Sequence, residues 1–150
     1  MNSVDGIWHR ALNAKPASRL PGDVALHAVL RVHGLVENGG VLHATESLSA
    51  LGELETGLAG FEWLGLGEVA ALIREAAARA EDPAIGDDGL DVLEQESNAR
   101  YSALVPDDEA LESALRDRIA KDPGAFAEPR ATRERGPVGA VRRWLTERPR

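Results

Sequence analysis

The chain of 150 residues contains no cysteine, and this single absence excludes disulfides, thiolate zinc sites and a cysteine nucleophile. It suits a reducing cytoplasm. Aromatic residues make up only 4% of the sequence, too few for the Tyr- and Phe-rich core of a β-sandwich. No apolar run approaches the roughly eighteen residues of a membrane span. The opening stretch, MNSVDGIWHRALNAKP, lacks the cationic start and apolar run of an export signal, so neither export nor membrane insertion is expected.

Catalytic signatures are also missing. The serines at 47, 49, 97, 102 and 113 have no GxSxG context, and there is no HExxH pattern. The paired acids Asp87-Asp88 and Asp107-Asp108 fall in loop or cap contexts where water keeps them ionised, which does not suit an acid/base pair. The turn Asn38-Gly39-Gly40 lacks the lysine and the preceding strand of a phosphate-binding loop. Its residues suit a tight helix-to-helix turn that calls for positive φ. No cofactor is expected.

What is present is Ala, Leu and Val at helical spacing. One or two turns are expected around Ile7, Trp8 and Leu12, before Pro16 and Pro21-Gly22. From Asp23, read as an N-cap, Leu26, Val29, Leu30 and Val36 share one face up to Asn38. A second helix is expected from Val41 through Leu48, Leu51 and Leu54, ending between Gly57 and Gly60. A third follows Gly67, with Val69, Leu72, Ile73 and Ala76 in one stripe. Residues 82–89 read as a loop, Leu90 to Leu104 as a helix, and Asp107 as the cap of a further helix through Leu111, Leu115 and Ile119. Phe126 is expected to fold back and close the core. No run alternates long enough to compel a strand. The expectation is an all-α, single compact bundle of about six helices. It divides into an N-terminal arm (1–22), a helical domain (23–128) and an Arg-rich C-terminal tail (129–150), in which Val141, Trp144 and Leu145 could form a short docking helix.

The net charge of −8 is unevenly placed: residues 1–36 carry +2, residues 37–128 carry −15 and residues 129–150 carry +5. The acidic middle would repel nucleic acid and attract basic surfaces over about 8 Å at physiological salt; ordinary solvated helix faces are the plainer account of it. His27, His33 and His43, with Glu37 and Glu46, are the one group that could hold a metal. His33 and Glu37 share a face at i and i+4, but His27 lies about 120° away from His33 around the helix. A metal-dependent enzyme centred on His33, Glu37 and His43 is therefore the weakest of the functional readings, and no metal site is expected.

Three segments carry a resemblance: ALHAVLRVHGLVENGG (25–40), WLGLGEVAALIREAA (63–77) and YSALVPDDEALESALRDRIAKDPGAF (101–126). Over about residues 24–127 the chain resembles the bacterial DNA-mimic protein domain family, all-helical and largely of unknown function. It departs from that pattern at Val41 and His43, where the family has an aromatic residue and a glutamine. The resemblance implies an acidic helical body whose carboxylates imitate duplex phosphates and occupy a DNA-binding protein. The expected function is a non-catalytic protein-binding module whose acidic face engages a basic partner, with a DNA-binding regulator as one such partner, no direct binding of nucleic acid by the acidic body and no membrane partner. Glu53, Glu55, Glu62, Asp87, Asp88, Asp91, Glu94, Asp107, Asp108, Glu109 and Glu112 are its candidate contacts. An immunity or antitoxin-type neutraliser of a toxin or effector is the alternative.

Overall fold

A computed structural model describes residues 3–129. Among these residues the fold is all-helical, with seven α-helices in order: α1 (Val4–Ala11), α2 (Pro21–Gly39), α3 (Val41–Ala50), α4 (Leu54–Trp63), α5 (Gly67–Ala80), α6 (Gly86–Leu104) and α7 (Asp108–Lys121). A 3-10 turn, Pro123–Ala125, follows. No helix among the described residues is long and apolar enough to cross a membrane. The tail from Arg130 onward, with the expected docking residues Val141, Trp144 and Leu145, lies outside the described residues.

Helix α2 is the central element. Leu26, Val29 and Val32 on it are almost wholly buried, and it packs against α1, α3 and α4. The contact with α4 is close because α4 presents glycines. A Cβ on Gly60 would lie 2.7 Å from the Ala25 carbonyl oxygen, and one on Gly57 would lie 2.5 Å from Val32 Cγ2. Helix α5 then packs on α3, α4 and α6, while α7 packs on α1 and the 3-10 turn. Ile7 and Ala11 of α1 belong to the same core as α2 and α5, so the packing does not stop at the arm boundary expected at residue 22.

Four local expectations differ from the structure. Asp23 is not an N-cap: Leu20 occupies that position, with Pro21 in the first turn. The Asp23 side chain is instead buried, accepting hydrogen bonds from the Ser18 hydroxyl and, at 2.9 Å, from the Ala127 N–H. The helix expected to run from Val41 past Leu54 is two helices. Gly52 adopts φ +70°; its N–H donates to the Ser49 carbonyl at 3.1 Å and the Glu53 N–H to that of Leu48 at 2.9 Å. This is the paired closure of a glycine-terminated helix. Leu51, which continues the apolar spacing, is 61% exposed. Helix α6 begins at Gly86 rather than Leu90, so Asp87 and Asp88 lie in its first turn and not in a loop. Finally, only Gly40 in the Asn38-Gly39-Gly40 turn has positive φ, +93°. Asn38 and Gly39 complete α2, and glycine at 39 answers to space, since a Cβ there would lie 2.5 Å from the His43 ring.

Other expectations match. The Asp107 side chain caps α7 by accepting from the Ala110 N–H at 3.3 Å. Phe126 is buried at the N-terminal end of α2, against Gly22. It meets Trp63 edge-on at 5.8 Å, and the Arg118 guanidinium lies 4.1 Å from the Trp63 ring centroid.

Candidate functional site

The acidic side chains singled out by the sequence divide according to what the fold places beside them. On α4 and just before it, Glu53 lies 2.9 Å from Arg31, Glu55 lies 3.3 Å from Arg74, and Glu62 lies 3.9 Å from Arg74. Asp107 is the α7 cap, Asp108 lies 3.1 Å from His33, and Glu109 lies 4.0 Å from Arg116. Glu112 is half-buried on the same helix. Arginines therefore partly offset Glu53, Glu55, Glu62 and Glu109, although each exposed pair contributes only about 0–1 kcal/mol to stability.

The N-terminal half of α6 is different. Asp87, Asp88, Asp91 and Glu94 are all exposed and form no ion pair with a described residue. Asp87, Asp91 and Glu94 fall at i, i+4 and i+7, within about 60° around the helix, and Asp88 lies about 60° beyond Asp91. The four span about 10 Å of helix axis, in steps of about 1.5, 4.5 and 4.5 Å. The first two are stabilised by the positive end of the helix dipole. Further along α6, charges of both signs are tied to α5: Glu96 to Arg79 at 3.6 Å and Arg100 to Glu75 at 3.1 Å.

Beside this acidic ridge runs a groove of about 490 Å³ bounded by α3, α5 and α6. Each helix lends it residues at helical spacing: Leu42, Thr45, Glu46 and Ser49 from α3, Ala77 and Ala80 from α5, Leu90 and Glu94 from α6. Glu81, directly after α5, completes the rim. The lining holds three carboxylates and no basic side chain. Glu75 and Arg79 of α5 do not line it and pair with α6 instead, Glu75 with Arg100 and Arg79 with Glu96.

The histidines do not converge. His27 Nδ1 contacts the Ala11 carbonyl oxygen at 3.1 Å, and His43 is exposed beside Gly39. His33 is 7% exposed. It joins three helices, with Nδ1 2.8 Å from the Tyr101 hydroxyl and Nε2 3.1 Å from Asp108 and 3.7 Å from Glu37. The tautomer that satisfies every group has Nε2–H donating to Asp108 and Nδ1 accepting from Tyr101. Tyr101 is 2% exposed. Burial above all, then the Glu37 and Asp108 carboxylates, raise its phenol above the ordinary value. Among the described residues no group of three or more His, Asp or Glu is placed to hold a metal ion.

Linear reasoning missed the partners of His33, which lie 68 and 75 residues away, and it missed Glu81 as a rim residue. It also missed Asn98, whose side-chain oxygen accepts from the Val41 N–H at 2.8 Å at the start of α3. The i, i+4 spacing had pointed to Glu37 beside His33, and Asp108 had entered only as a candidate contact for a partner. Compared with known family models, curated proteins and solved structures, the chain matches none at a significant level.

Proposed function

We propose that the chain is a non-catalytic protein-binding module whose acidic face engages a cationic protein surface. The observation that carries this reading is the ridge of Asp87, Asp88, Asp91 and Glu94 on α6, exposed and without an ion pair among the described residues. Carboxylates held on a rigid helix lose little entropy when a partner's Arg or Lys pairs with them, and their field speeds encounter. A DNA-binding regulator, whose cationic face already pairs with duplex phosphates, is a partner whose charge suits this ridge. A cysteine-free chain of this kind suits the cytoplasm.

The test compares the native chain with two charge-neutral variants: Asp87→Asn/Asp88→Asn/Asp91→Asn/Glu94→Gln on the ridge, and Glu53→Gln/Glu55→Gln/Glu62→Gln among the offset acids. Proteins captured from the source cell are followed as salt rises to about 1 M, where the Debye length falls to about 3 Å. The expected result is a partner that elutes steeply with salt, is lost by the first variant and is kept by the second. A complex that ignores both salt and the ridge substitutions would instead mark a neutraliser working by shape, and would overturn this reading.

A further inference from the structure

We infer that the groove between α3, α5 and α6 is the seat of a partner's amphipathic helix, one whose apolar stripe is flanked by lysine or arginine. This rests on the reading of the α6 ridge as a contact for cationic protein, and adds where that partner's apolar side chains go. Two independent features meet here. The floor is apolar: Leu42, Ala77 and Leu90 are only half-buried, on helices whose opposite faces are already packed into the core. The rim is of one sign, with Glu46, Glu81 and Glu94 on its three sides and no basic side chain in the lining.

These features narrow the occupant. A purely apolar helix would strip water from three carboxylates without replacing their hydrogen bonds, which is costly. Nucleic acid would be repelled by the same charges. A cationic amphipathic helix satisfies both, since the aliphatic stems of Lys and Arg lie along the apolar floor while their charged ends reach the rim. The acidic rim continues toward the start of α6 through Asp87, about 60° around the helix from Leu90, so a longer basic helix gains a contact in that direction.

The experiment uses the full chain and two dye-labelled peptides of equal length and charge. One is a Lys/Leu amphipathic helix and the other has each Leu replaced by Gln. Anisotropy should show the first binding at least about tenfold tighter, roughly the effect of burying one leucine, with amide shifts centred on Leu42, Ala77 and Leu90. Ala80→Phe, which fills the floor, should remove that advantage while retaining the weaker binding of the polar peptide. Glu46→Gln/Glu81→Gln/Glu94→Gln should weaken both peptides. Equal binding of the two peptides, with shifts confined to Asp87, Asp88 and Asp91, would overturn the groove and leave the acidic-face reading standing. Binding of neither peptide would overturn both. If Trp144→Glu/Leu145→Glu moves the groove signals of the peptide-free chain, the seat belongs to the chain's own tail and the inference fails.

Discussion

Helices α6 and α7 both open on acidic turns, Asp87-Asp88 and Asp108-Glu109, yet the fold uses them in opposite ways. At α7 the acids serve the protein itself: Asp107 caps the helix, Asp108 holds His33 and Glu109 faces Arg116. At α6 they face water beside an apolar groove. The α6 acids end at Glu94, about 15 Å of helix axis before the end of α6 at Leu104. Charge count does not tell a structural acid from a binding one; what stands within 4 Å of it does.

The largest effect is expected at His33, which holds the α7 acids to α2 and α6. Replacing His33 with Ala removes a buried ring and leaves the Tyr101 hydroxyl without its partner, so unfolding free energy should fall by about 2–4 kcal/mol. Urea denaturation would measure it, and a loss no greater than that of a surface substitution would show that the α7 acids are not structurally engaged.

Tyr101 gives the next largest effect. Its raised phenol means that above pH 10 the unfolded state loses a proton that the folded state keeps. Stability contributed by the group is thus complete below pH 10 and declines as pH rises further, by about 1.4 kcal/mol per pH unit. Because Tyr101 is the only tyrosine, phenolate absorbance reports it directly. The native chain should titrate later than the urea-unfolded chain, and Tyr101→Phe should abolish this part of the alkaline destabilisation. Coincident titrations would mean that the hydroxyl is solvated.

The smallest effects set cap against ridge. Asp107→Ala should cost about 1 kcal/mol through loss of the helix cap. Asp91→Asn on α6 should change stability by less than about 0.5 kcal/mol, since it touches no described partner. A cost at Asp91 equal to that at Asp107 would remove the distinction between the two acidic turns.

Much of the architecture was legible because helical periodicity is local. Leu26, Val29 and Val36 mark α2, Val69, Leu72 and Ile73 mark α5, and Asp107 reads correctly as a cap, since each signal acts within a few residues. The break at Gly52 was hidden by the continued spacing of Leu51 and Leu54. A lone glycine within an apolar run does not reveal whether its backbone will turn left-handed. The start of α6 was hidden for a similar reason: Gly86-Asp87-Asp88-Gly89 has the composition of a loop, and the helix dipole makes those aspartates favourable in a first turn.

By itself the sequence determined the helical class, the absence of cysteine chemistry, the acidic middle segment and most helix faces, all of which follow from composition and from periodicity within a few turns. Only the tertiary structure decided which carboxylates meet an arginine or a histidine and which remain open. It alone brought Leu42, Ala77 and Leu90 to one groove and buried Asp23 against Ala127. Those outcomes depend on how helices far apart in the chain cross, and side-chain electrostatics act over a few ångströms that no linear spacing encodes.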